Sequence, residues 1–204
     1  MDIVMLIDES ESIRPVVGSY INGINNVITT QRTLSPNSRF SLIMFNTEVK
    51  VKYFNVLITD VPIMLNGDLV PSGLTAMYNA IATVFNEKKD DRPTIMIVMT
   101  DGLDNCSGVR PDQLIPYIAQ LKQQNWTFLF LGASKQSNLF GRLLGMDCIL
   151  YDNTPASIER ASEAINIAIS KVHSSLIGRP VHLSEKDLPD DVSDLANILN
   201  GIKI

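Results

Sequence analysis

The chain has 204 residues, 17 basic and 22 acidic side chains, a net charge of −5 and 45% hydrophobic residues. Its pI is near 5.0 and its basic residues do not gather in runs, which excludes the electrostatic footprint of a nucleic-acid binder. The composition is far from disorder, and one domain of this size buries about 70% of its unfolded surface. No apolar stretch approaches the roughly 20 residues of a membrane span, so a soluble chain is expected.

Residues 3–7 form an apolar run of strand length that begins almost at Met1. It is too short, and lacks the basic lead-in, for a secretory leader. Helical spacing follows over 14–31, then an apolar strand over 40–45. Residues 47–53 alternate polar and apolar, which predicts an antiparallel hairpin partner at a sheet edge. Helical patterns over 75–87, 111–124, 135–144 and 155–174 then alternate with apolar strands over 95–99, 126–131 and 148–151. In the last helix Ile158, Ala161, Ile165, Ala168, Ile169 and Val172 step by three or four, as one buried face requires. Strands alternating with helices predict an α/β fold, a mostly parallel sheet wrapped by helices. The two cysteines, Cys106 and Cys148, fall after one strand and at the start of another, at opposite sheet edges, and are expected to be free thiols. A reducing, cytoplasmic location is the matching expectation.

After residue 176 the sequence turns acidic, with Glu185, Asp187, Asp190, Asp191 and Asp194, and becomes amphipathic through Val192, Leu195, Ile198 and Leu199. Asp190 or Asp191 suits a helix cap and Gly201 a stop. The expected organisation is a domain over 1–176 and an acidic extension over 177–204. The extension either folds back on its own domain or docks a partner.

Ligands of a parallel α/β sheet gather outside the carboxyl ends of its strands. Past the first strand stand Asp8, Ser10 and Ser12, whose spacing of two sends them to one side of an extended chain while Glu9 and Glu11 turn away. Past the strand at 95–99 comes Thr100-Asp101-Gly102, and between these segments Gly73-Leu74-Thr75 opens a helix with a hydroxyl at its start. Ser10, Ser12 and Thr75 could equally cap helices, Asp8 could be a cap and Asp101 a turn residue. Together they make an all-oxygen set of two carboxylates and three hydroxyls. Such a set suits Mg²⁺ first, or Mn²⁺ or Ca²⁺, rather than zinc, and leaves the coordination shell open.

The segments Asp8-Glu9-Ser10-Glu11-Ser12, Gly73-Leu74-Thr75 and Thr100-Asp101-Gly102, in that order, resemble the metal-ion-dependent adhesion site of von Willebrand factor type A domains. The likeness covers roughly residues 1–175. The segment 126–133 is closer to small stand-alone bacterial and viral members than to animal receptors. The resemblance implies a doubly wound, mostly parallel six-stranded sheet with one antiparallel edge strand and helices on both faces. It also implies that Ser10 and Ser12 bind a divalent cation directly, that Asp8 and Asp101 do so directly or through water, and that Thr75 joins or leaves the shell. The implied function is protein binding, with a partner's Glu or Asp completing the coordination. A structural protein with a vestigial or merely stabilising site, whose extension docks a partner, is the competing reading.

Where the family usually has glycine between the serines, this chain has Glu11. Its charge would tighten the cation and disfavour an acidic partner if it faces the site. Asp104 and Asn105 could rim the site and touch a partner, or serve the turn. Catalysis finds less support. A haloacid-dehalogenase-like phosphotransferase with Asp8 as nucleophile needs a second Asp where Ser10 stands, no Gly-rich phosphate loop occurs, and neither His173 nor His182 falls at a predicted strand end. No enzyme, nucleic-acid or membrane function is expected.

Overall fold

Two hydrophobic layers sandwich one sheet in the computed structural model, which describes residues 1–88 and 90–176. The sheet contains β1 (Asp2–Asp8), β2 (Arg39–Phe45), β3 (Val49–Leu57), β4 (Thr94–Thr100), β5 (Trp126–Gly132) and β6 (Asp147–Leu150). The helices are α1 (Val17–Leu34), α2 (Met77–Glu87), α3 (Pro111–Lys122), α4 (Lys135–Leu143) and α5 (Pro155–Leu176). The strand order is β3-β2-β1-β4-β5-β6, parallel throughout except for the β2–β3 hairpin. The expected six-stranded, doubly wound α/β sheet with one antiparallel edge strand is therefore present.

Strands buried on both faces must be apolar at every position. In β1, Ile3, Met5 and Ile7 pack toward α1 and α5, while Val4 and Leu6 pack toward α2 and α3. Winding reverses between β1 and β4, so the carboxyl ends of these two strands flank the crevice where such sheets bind ligands. That end of the sheet is termed the upper edge.

Several element boundaries differ from the periodicity, three of them near the site or the sheet edge. The helix expected from residue 14 is preceded by a 3-10 helix, Glu11–Val16, and α1 starts only at Val17. Pro15 lies inside that segment, without an N–H to donate and biasing Arg14 away from α geometry. The helix expected from Thr75 begins at Met77, and β3 runs on to Leu57 past a bulge opposite Ser41. Both cysteines are free thiols. The amphipathic stretch and the acidic residues of 177–204 lie outside the described residues.

Candidate metal centre

The site is built where β1 and β4 end. Asp8, in phase with Val4 and Leu6, is fully buried. Its Oδ1 accepts the Ser10 N–H at 2.8 Å, and its Oδ2 accepts the Thr100 hydroxyl at 2.5 Å. Beyond it the chain stays extended through Ser10 and then winds into the 3-10 helix, which brings the Ser10 and Ser12 hydroxyls to 3.0 Å. The Ser12 hydroxyl donates to Asp101 Oδ1 at 2.7 Å, and Asn153 donates to Asp101 Oδ2 at 2.8 Å. Four of the five expected residues thus form one chain of oxygens from Asp8 through Ser10 and Ser12 to Asp101.

Thr75 joins through its backbone and its position. It is buried, its N–H donates to Asn105 Oδ1 at 2.9 Å, and its carbonyl accepts the Asn105 N–H at 3.0 Å. Its hydroxyl lies 3.8 Å from where a Cβ on Gly102 would stand, beside Asp101. The capping alternative for the hydroxyls fails here. Ser10 precedes the 3-10 helix without a side-chain cap bond, and the residue capping α2 is Ala76.

The segment carrying Thr75 is tied to β1 by several contacts. Ser72 N–H donates to the Glu9 carbonyl, Glu11 N–H donates to the Gly73 carbonyl, and Val70 N–H donates to Glu9 Oε1 at 2.7 Å. Glu9 Oε2 pairs with Lys50 at 2.8 Å, so this buried carboxylate joins β1, β3 and the 61–76 loop. Gly73 has a φ of 70°, and a Cβ there would run into the Thr47 hydroxyl, so any side chain at this position is strained and displaces Thr47.

Electrostatically, the two carboxylates are poorly compensated. Burial outweighs three hydrogen bonds and pushes the Asp8 carboxyl up to about 6, with the nearby Asp101 charge adding to the shift. Asp101 is also raised, chiefly by burial. No Lys or Arg ion-pairs with either among the described residues. Behind them the Tyr20 and Tyr151 hydroxyls share a 2.5 Å hydrogen bond, and both phenols are held neutral by burial.

Glu11 is paired with a cation of its own. Arg14 holds it in a two-pronged pair at 2.6 and 2.7 Å and also donates to the Pro71 carbonyl. Asp104 is engaged locally, accepting from the Tyr78 N–H and from both the N–H and hydroxyl of Ser107. Asn105 is exposed and fixes Thr75. Thr100, Asn153 and Glu9 are the residues that sequence reasoning did not single out. Thr100 stood inside a quoted motif. Asn153 and Glu9 carried no signal, because their roles depend on long-range contacts.

The donor set fits a hard divalent cation. A buried and a half-buried carboxylate, both with a raised proton affinity and no basic partner, favour positive charge supplied from elsewhere. Among the described residues no three His, Cys, Asp or Glu side chains cluster closely enough to hold a metal, so hydroxyls have to supply the remaining donors.

Residues 2–142 match the family model described as von Willebrand factor type A domain. The chain belongs to the von Willebrand factor type A domain family. No curated protein matches it in sequence. Among solved structures it is similar to the von Willebrand factor type A protein from Catenulispora acidiphila, at 19% identity and a TM-score of 0.60 over 84% of this chain and 42% of that one. It is similar to the pilus adhesin SpaC from Lactobacillus rhamnosus GG, at 14% identity and a TM-score of 0.63 over 84% of this chain and 30% of that one. It is also similar to proximal thread matrix protein 1 from the mussel byssus with a zinc-occupied MIDAS motif, at 16% identity and a TM-score of 0.55 over 84% and 47%. The chain thus spans less than half the length of each.

Proposed function

We propose that this von Willebrand factor type A domain is a metal-dependent protein-binding module. Asp8, Ser10, Ser12, Thr75 and Asp101 would hold a divalent cation, magnesium first and manganese or calcium after it, and a partner's Asp or Glu would fill the open position. The observation carrying this reading is the continuous oxygen set at the switch point, with a buried Asp8 and a half-buried Asp101 that lack a basic partner. When bound, the cation supplies an electrophilic anchor for an incoming carboxylate. Asp8 and Asp101 balance its charge without saturating it. Thr100 and Asn153 orient those carboxylates, and the Glu9 clamp sets the loop that delivers Thr75.

Catalysis is not part of the proposal. His173 bonds Ser35 at the C-cap of α1, at the far edge of the sheet, and burial raises the Cys106 thiol rather than activating it. A cytoplasmic location is proposed on the two free thiols.

The test is capture of partners by the immobilised full chain in magnesium buffer. Capture is expected to disappear with EDTA and with Asp101→Ala. Partners retained under both conditions would instead favour an assembly role that does not use the site. Turnover of a phosphoester abolished by Asp8→Ala would contradict the non-enzymatic reading.

A further inference from the structure

The outer face of α4 carries an apolar stripe with a cation near each end. Lys135, Leu139, Arg142 and Leu143 follow the three-and-four spacing of one helix face. Leu139 is 56% and Leu143 57% exposed, and Leu150 at the end of edge strand β6 is 41% exposed. Lys135, Leu139, Arg142 and Leu150 line one cavity of about 310 Å³. A single exposed leucine needs no explanation, but Leu139 and Leu150 facing one concavity, with Leu143 next to it on the same helix face, make a surface suited to being covered. Arg142 lies against the Cys148 thiol, and neither cation has an ion pair among the described residues.

The chain itself contains the complementary pattern. Between Glu185 and Asp194 there are five acidic residues and one basic residue, Lys186. Leu188, Val192, Leu195 and Leu199 are spaced by four, three and four, which would place them on one helix face. Connectivity brings the two together. α4 descends from the upper edge to the lower edge, where β6 begins, and α5 descends on the opposite face to end at Leu176 on that same lower edge. The eight residues 177–184 reach about 26 Å when extended. Both ends of the gap lie on the lower edge, on opposite faces of the sheet, with α5 ending beside the C-cap of α1.

We propose that the acidic segment 185–200 of this chain docks on its own α4–β6 face, its apolar side chains covering Leu139, Leu143 and Leu150 and its carboxylates beside Lys135 and Arg142. Docking there covers the unpaired side of β6, two strands away from β4 and the oxygen set. It does not depend on the cation.

Zero-length carbodiimide coupling of the full chain tests it, with ¹⁵N-labelled and unlabelled protein mixed equally and the products read by mass spectrometry. The expected product is an amide between Lys135 and a carboxylate of 185–194 within one chain. The Lys52–Asp68 pair, at 2.6 Å, is the internal control for coupling. Leu139→Asp with Leu143→Asp should lower the Lys135 product at least about fivefold and speed amide exchange over 188–200 about tenfold. Exchange in β4 and β5 should stay unchanged, which separates undocking from unfolding. A Lys135 product found only between labelled and unlabelled chains would assign the face to a second copy and overturn the proposal. So would a missing product beside an intact Lys52–Asp68 control, or tail exchange that the two substitutions leave unmoved.

Discussion

Strand β1 has a buried aspartate at each end, and the two are held by opposite means. Asp2, at the lower edge, pairs with Lys88 at 2.8 Å and Arg92 at 2.7 Å, and Lys88 itself is buried over the Trp126 ring and also pairs with Asp90. Asp8, at the upper edge, has hydroxyls and a backbone N–H but no cation. The lower carboxylate is complete within the fold. The upper one has no cation within the fold, which is what the proposed metal site asks of it, so the same residue type on one strand is neutralised at one end and left uncompensated at the other.

The largest expected effect comes from removing the uncompensated charge. Asp8→Asn should weaken Mg²⁺ and Mn²⁺ binding about 100-fold or more by calorimetry, whereas Asp2→Asn should leave it within about twofold, because only the upper end lacks a protein cation. Stability should separate the two in sign. In chelator at pH 7, urea unfolding of Asp2→Asn should show a loss of about 3 kcal/mol, since Lys88 is left buried with one partner fewer. Asp8→Asn in the same buffer should gain up to about 3 kcal/mol.

That gain has a pH signature. The folded Asp8 carboxyl sits at about 6, above its ordinary 3.8, so the folded state holds this proton more tightly. The penalty is absent below about pH 4, grows between 4 and 6, and reaches about 3 kcal/mol above that range. Metal-free protein should therefore lose stability as pH rises through this window, and Asp8→Asn should remove that slope. If the slope persists in the variant, the upper end is not under the strain described.

Smaller effects sharpen the comparison. Thr100→Val keeps the shape of the strand end but frees Asp8 Oδ2, and should lower divalent affinity about tenfold in the same titration. Glu11→Gly should lower it least, by less than about threefold, because Arg14 pairs with that exposed charge and salt screens it. Unchanged affinity would discard any role for Glu11.

Much of this was readable from residues alone, for a physical reason. Strands buried on both faces cannot hide their hydrophobicity, so five apolar runs and one alternating run announced the sheet, and the hairpin partner announced its edge. Asp8, Ser10, Ser12, Thr75 and Asp101 stand out as candidates because ligands of such sheets gather at strand ends and because spacing within one segment is local geometry. α1 starts later than its periodicity predicts because Pro15 favours the 3-10 turn and the Gly73 carbonyl, from another segment, accepts the Glu11 N–H at its start. Glu9, expected only to turn away from the oxygen set, is a buried clamp.

The sequence by itself determined the layers, the edge strand and which oxygens were candidates, since periodicity and composition act over a few residues. Only the tertiary structure decided that winding reverses between β1 and β4, that Thr100 and Asn153 hold the two carboxylates, and that Arg14 joins Glu11 to the Pro71 carbonyl. Those are contacts between segments far apart in the chain, and no local pattern encodes whether a buried charge will meet a cation.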